Sequence, residues 1–205
     1  HELKTPMAGI KLICDSLVAA ENPDPAMVKE FLGDMSDEVD RLTRIVERLL
    51  VLTKLDAGGN SLKLEEVDIK MLISQVVKKL TPIANAKDIV IYVDNHQAEF
   101  SPILLDYDKM YEAIYNIADN AIKYSPEGGF VHIDITADND YLTIKIEDNG
   151  PGIPEDERDR IFERFYRLDD SRARDTGGTG LGLAITKEAV LMHNGNIDVA
   201  NVSDI

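Results

Sequence analysis

The chain has 205 residues, 44% hydrophobic and 29% charged, enough for one or two soluble domains with cores of their own. A net charge of −16 weighs against nucleic acid as a partner, because phosphate backbones are held by clustered lysine and arginine. The same charge serves solubility, or suits a basic or Mg2+-bearing partner.

A single cysteine, Cys14, excludes an intrachain disulfide and fits a reducing compartment. No run approaches the ~20 apolar residues of a membrane-spanning helix, and no signal peptide precedes the fold. Asn201-Val202-Ser203 matches a glycosylation acceptor, which without a secretion signal reads as chance.

Residues 1 to 56 read as two helices. Leu3, Met7, Ile10, Ile13 or Cys14, and Leu17 recur at helical spacing, and Asn22-Pro23-Asp24-Pro25 stops the first helix. The second spans about Ala26 to Leu55. Val28, Met35, Leu42 and Leu49 repeat every seventh residue, with Leu32, Val39 and Val46 beside them and Phe31, Ile45 and Leu52 on the other flank. So wide a stripe suits a bundle face. Two helices alone cannot bury it, so the expectation is a homodimer through residues 1–57 forming a four-helix bundle, the alternative being packing on the same chain.

Ala57-Gly58-Gly59-Asn60 reads as a linker. Beyond it the spacing predicts a strand at Leu62–Val67, a helix at Ile69–Ala84 and a strand at Ile89–Val93. A helix capped by Asp106 follows at Tyr107–Tyr124. Val131–Thr136 and Tyr141–Glu147 alternate with period two around the turn Asp138-Asn139-Asp140. A helix at Leu181–Met192 stops at Asn194-Gly195, and Ile197-Asp198-Val199 begins another strand. Helices on one face of a mixed sheet, an α/β sandwich, would result.

Three blocks suit a nucleotide. Glu112, Asn116, Asn120 and Lys123 share one face of the Tyr107–Tyr124 helix, where amides can offer oxygens to a hard cation and the lysine a charge to phosphate. A solvated polar face explains the block equally well by itself. Asp148-x-Gly150-x-Gly152 follows a strand. A carboxylate there can accept from an exocyclic amine while the glycines admit a flat base, or it is an ordinary acidic turn. Gly177 to Gly182 leads into a helix, whose first N–H groups bind anions. It is no P-loop, since Leu183-Ala184 stand where lysine and serine or threonine belong. Nor is it a dinucleotide fingerprint, since the charged stretch Arg167 to Asp175, and not a strand, precedes it. That stretch reads as a lid whose Arg172 and Arg174 reach phosphate or are merely solvated. Ile161, Phe162 and Phe165 seat the lid or serve as core. At the start, His1 and Thr5 lie one helical turn apart, Glu2 can polarise the imidazole, and Pro6 should bend the helix beside it.

Together the blocks closely resemble those of bacterial two-component sensor histidine kinases. His1-Glu2-Leu3-Lys4-Thr5-Pro6 resembles the H box and Asn116 through Pro126 the N box. Asp148-Asn149-Gly150-Pro151-Gly152-Ile153 resembles G1, Ile161 through Arg167 the F box, and Gly178-Thr179-Gly180-Leu181-Gly182-Leu183 the G2 box. The resemblance covers nearly the whole chain. It implies an α+β chain: a helical hairpin forming a dimeric four-helix bundle at 1–57 for histidine phosphotransfer, then a Bergerat-type α/β sandwich at 61–205 that binds ATP.

By the same resemblance His1 is the phosphoacceptor, Glu2 assists it, and Thr5 orients water when the phospho-regulator is dephosphorylated. Asn120, with Asn116 beside it, holds Mg2+. Lys123 and Tyr124 contact phosphate or nucleotide, and Asp148 reads adenine. Gly150, Gly152, Ile153 and Phe165 belong to the same nucleotide site, and the loop Gly178, Thr179, Gly180, Leu181, Gly182 closes over the triphosphate with Arg172 and Arg174. The partner implied is a response regulator receiver domain, and the location the cytoplasmic side of the cell membrane. Family members continue upstream with helix, a sensor and membrane spans, and downstream with a further strand pair, so the chain reads as a fragment. Met7 stands where leucine is commoner. Two other classes remain: a gyrase- or heat-shock-chaperone-type ATPase using water as nucleophile, against which His1 in its motif argues, and a silent dimeric scaffold, against which the three nucleotide blocks argue.

Overall fold

The computed structural model describes residues 4–20, 23–56, 61–96, 101–138, 141–168 and 180–202. The chain divides into two units, His1–Asn60 and Ser61–Ile205.

The first unit is an antiparallel helical hairpin of α1 (Lys4–Ala19) and α2 (Pro25–Asp56). Pro25 opens α2, where its missing N–H costs no intrahelical bond, and Asp24 Oδ1 accepts from Ala26 N–H at 3.1 Å. Cys14 Sγ lies 4.0 Å from Met35 Sδ across the pair. Pro6 is buried on α1; the bend expected beside His1 falls outside the described residues. The wide stripe of α2 splits in two. Val28, Phe31, Met35 and Leu42 are half-buried, whereas Leu32, Val39 and Val46 stay 56%, 49% and 44% exposed.

The second unit starts with β1 (Leu64–Val67) and α3 (Ile69–Ala86), followed by β2 (Val90–Asn95) and β3 (Ile103–Asp106). Then come α4 (Tyr107–Tyr124), β4 (Phe130–Ala137), β5 (Leu142–Asp148), two 3-10 turns at Glu155–Glu157 and Arg160–Phe162, and α5 (Gly182–Met192). β2 runs parallel to β4, and β4 antiparallel to β5; β1 and β3 form a separate antiparallel ladder. Alternation in β4 buries Val131, Ile133 and Ile135. Against them pack Leu72, Ile73, Val76 and Leu80 of α3 and Ile114, Ala118, Ala121 and Ile122 of α4. Each buried valine, leucine or isoleucine side chain contributes about 1.5–3 kcal/mol.

The helices are fastened by polar features as well. Asp68 caps α3 by accepting from the N–H groups of Lys70 and Met71. Tyr107, Tyr111 and Tyr115 stack along α4 with centroids 6.1 and 6.4 Å apart, and Lys79 of α3 lies 4.9 Å from the last ring.

Two expectations change. The strand β3 is not signalled, because four residues ending in a helix cap carry no readable period. For the strand expected at Ile197–Val199, Ile197 and Val199 are half-buried and Asp198 exposed, as alternation requires, but these residues join no backbone ladder among the described residues.

Candidate functional site

The site is built around α4. Asp106 caps its start, accepting from Lys109 N–H at 3.1 Å and from Lys63 N–H at 2.9 Å. Helix α5 packs antiparallel along α4, and three hydrogen bonds set their register. At one end Asp106 N–H donates to His193 Nε2 at 2.9 Å, while His193 Nδ1 meets the Ala189 carbonyl at 2.7 Å, which places the ring proton on Nδ1. Midway the buried Thr186 hydroxyl lies between the Ala113 carbonyl at 3.3 Å and the Gly182 carbonyl of its own helix at 2.9 Å, sharing its one proton between them. At the other end Asn116 Nδ2 donates to the Gly182 carbonyl at 3.3 Å. The polar face of α4 is thereby brought against the glycine loop that opens α5.

That loop is anchored by the aromatic segment. Phe165 N–H donates to the Gly180 carbonyl at 2.8 Å. Gly180 has φ +70°, and a Cβ there would lie 2.8 Å from the Phe165 backbone, so only glycine fits. Phe165 itself sits at φ +66°, a strained conformation worth about 1–3 kcal/mol. Ile161 is buried and Phe165 38% exposed; the segment supplies core through the first and seats the loop through the second.

At the C-terminal end of α4 lies the turn after β5. Asp148 is exposed, and its Oδ1 accepts from Gly150 N–H at 2.8 Å. A Cβ on Gly150 would stand 3.0 Å from the Tyr124 carbonyl, so the turn rests directly on the end of α4. Asn149 Oδ1 accepts from Phe130 N–H at 2.9 Å. Gly152 has φ +74°. Asn201 then clasps Ile153 on both sides, accepting from its N–H at 2.9 Å and donating to its carbonyl at 3.0 Å.

Asn116 and Asn120 are half-buried, one turn apart. Because Asn116 spends its amide nitrogen on Gly182, its carboxamide oxygen is the atom it has left for a cation. Lys123 pairs with Asp119 at 2.6 Å, and Tyr124 is exposed. Leu181 is buried and Gly182 begins α5. Asn116, Asn120, Lys123, Tyr124, Asp148, Gly150, Gly152, Ile153, Phe165, Gly180, Leu181 and Gly182 thus stand on α4 or on the turns and helix start that adjoin it. Thr5 is exposed on α1, in the other unit. His1, Glu2, Arg172, Arg174, Gly178 and Thr179 lie outside the described residues. Among the described residues, a hollow of about 460 Å3 lined by Phe162, Arg164, Ala184, Lys187, Glu188, Leu191 and Met192 holds none of the twelve.

The burial of Asp106 pushes its carboxyl up, but the Lys63 and Lys109 amides and the Lys109 charge outweigh it and hold the group below the ordinary carboxylate range. Asn149, Asn201, Thr186 and His193 were not expected to matter, and no local spacing marks them.

Comparison with known proteins bears on this arrangement. Residues 1–58 match the family model of the His Kinase A (phospho-acceptor) domain. Residues 105–204 match that of the histidine kinase-, DNA gyrase B- and HSP90-like ATPase. Sensor protein kinase WalK of Staphylococcus saprophyticus is 38% identical over 199 residues, which are 96% of this chain and 32% of the relative. WalK of Staphylococcus aureus is 37% identical over 203 residues, 96% of this chain and 47% of the relative. The chain thus spans less than half the length of these curated relatives. Among solved structures, the mycobacterial sensor histidine kinase MprB is 34% identical with a TM-score of 0.57, covering 67% of this chain and 85% of that one. Full-length ShkA in complex with AMPPNP is 29% identical with a TM-score of 0.71, covering 98% of this chain and 41% of that one.

Proposed function

This chain belongs to the sensor histidine kinases, and from that premise we propose that it is an ATP-dependent protein-histidine kinase core. The unit 61–205 binds ATP with Mg2+ and phosphorylates His1, which passes the phosphoryl group to an aspartate of a response regulator receiver domain. The observation that carries the nucleotide half is α4 as a shared wall. Asn116 hydrogen-bonds the start of α5, and Tyr124 backs the Asp148 turn, so groups suited to base, cation and phosphate line one helix.

Asp148 accepts from the adenine amine, and Gly150, Gly152 and Ile153 give the base access to backbone. Gly178 to Gly182 present N–H groups at a helix start to the phosphates. Phe165 holds that loop, Lys123 and Tyr124 contact phosphate or nucleotide, and Arg172 and Arg174 reach the phosphates. Two half-buried amides on one helix face fit Mg2+, which takes few protein oxygens beside those of phosphate, so Asn120 with Asn116 holds it. When bound, Mg2+ offsets charge developing on the phosphoryl oxygens. One His1 ring nitrogen attacks the γ-phosphorus; the N–P bond forms, the bond to the bridging oxygen breaks, and ADP leaves. Glu2 accepts from the other ring nitrogen. In transfer the N–P bond breaks as the aspartyl phosphate forms. Thr5, a turn from His1, orients water for the phosphatase reaction on the regulator.

The ATPase family also includes enzymes with water as nucleophile. The phospho-acceptor match at residues 1–58 favours histidine. The hairpin pairs with a second copy, since Leu32, Val39 and Val46 face outward. Among the described residues no helix is long and apolar enough to cross a membrane. The core acts on the cytoplasmic side, where ATP and regulators are, with the sensor and membrane segments elsewhere in the full protein.

The test is incubation with γ-labelled Mg-ATP. Acid-labile, base-stable label is expected on this chain and none on His1→Gln. ATP bound or hydrolysed without His1-dependent label would refute the kinase reading in favour of the ATPase or the scaffold.

A further inference from the structure

Lys87 ends α3, its N–H bonded to the Ala84 carbonyl at 3.0 Å, and its side chain then leaves that helix altogether. Nζ donates to the carbonyls of Ile122 at 3.0 Å, Lys123 at 2.7 Å and Ser125 at 2.5 Å. An ammonium has three donors, and all three go to the end of α4. Carbonyls of a last helical turn lack intrahelical partners and carry the negative end of the helix dipole, so a cation is their natural complement. The Lys87 carbonyl also accepts from Gly128 N–H at 3.3 Å. One residue therefore grips the segment 122–128 by side chain and backbone.

The opposite side of that segment carries the Asp148 turn. Tyr124 O backs Gly150. Ser125 is 2% exposed and bonds the Phe130 carbonyl at 3.4 Å, and Phe130 N–H in turn reaches Asn149. A Cβ on Gly129 would lie 2.5 Å from Asn149 Oδ1 and 2.8 Å from the Pro126 carbonyl, so the two turns are in close contact. The Asp148-Asn149-Gly150 turn has the 122–130 segment as its floor, and Lys87 fastens that floor from beneath.

We infer that Lys87 is a positioning residue for purine selectivity: by fixing the end of α4 it sets the Asp148 carboxylate at the height where it meets an exocyclic amine. Lys87 does not itself touch the nucleotide. The inference rests on the reading of Asp148 as the adenine acceptor. A clip serving stability alone would lower the melting temperature of a Lys87 variant and leave discrimination by the folded protein intact.

The experiment measures affinities of this chain for ATP and for purine riboside triphosphate, which lacks only the 6-amino group, at a temperature where circular dichroism shows each variant folded. Wild type should prefer ATP by about tenfold or more. Lys87→Met should lose most of that preference, chiefly through weaker ATP binding, with affinity for the amino-less analogue within about twofold of wild type. Lys87→Arg, which keeps cationic donors, should recover part of it. Should Lys87→Met not fold, Lys87→Gln, whose amide can still reach two carbonyls, should show an intermediate preference. A folded Met or Gln variant with wild-type preference overturns the role of Lys87 alone. A wild type that does not distinguish the two nucleotides overturns the Asp148 reading and this inference together.

Discussion

The Asp148 Oδ1 is fixed by the Gly150 N–H, which orients the carboxylate while the group remains exposed. In the adenine-reading role proposed for it, the nucleotide would supply the desolvation on arrival, and only then would a missing donor become costly. Asp148→Asn retains the shape and replaces one acceptor oxygen by a donor facing the adenine amine. ATP affinity should fall on the order of tenfold to a hundredfold, measured by calorimetric titration with Mg-ATP. Unchanged affinity would remove adenine reading from this residue.

Among elements, α4 is organised at its start by a charge and at its end by the carbonyls that Lys87 holds. Asp106 is 5% exposed, yet its amide donors hold its carboxyl below the usual range. A depressed folded value stabilises the fold above the ordinary carboxylate value of ~3.9 and is lost as pH falls through the folded value. Asp106→Asn keeps a capping oxygen but not the charge. It should cost about 1 kcal/mol at neutral pH, with the gap to wild type narrower at a second, acidic pH below the ordinary carboxylate value in urea unfolding. An equal gap at both pH values would exclude the charge as its source.

The bounds of α4 and the pairing of β4 with β5 were legible because their signals are local: a cap before a periodic run, or alternation either side of a turn. The contacts that join elements were not. Lys87 reaches partners 35 to 38 residues away, Asn201 reaches 48, Thr186 reaches 73 and His193 reaches 87. A polar residue aimed at a distant carbonyl leaves no spacing in its own neighbourhood. The glycines of the candidate site were readable for the opposite reason, since positive φ at Gly152 and Gly180 demands glycine whatever lies nearby.

At the scale of the whole molecule the hairpin presents a problem of area. One line of the α2 stripe is spent on α1, while Leu32, Val39 and Val46 remain open. A second copy meeting the same line would complete a bundle core. Val39→Glu should then shift sedimentation of the chain from dimer to monomer, with ATP affinity of the other unit kept within about twofold. A variant that sediments as wild type would show that another surface holds the copies together.

The Asn201 clasp also sets an order in time. Synthesis proceeds from the amino end, so Ile153 is made well before the amide that fixes it on both sides, and α5, which completes the glycine loop, comes between them. A nascent chain halted before Asn201 carries the helical hairpin and the turn after β5 but lacks the amide that clasps Ile153.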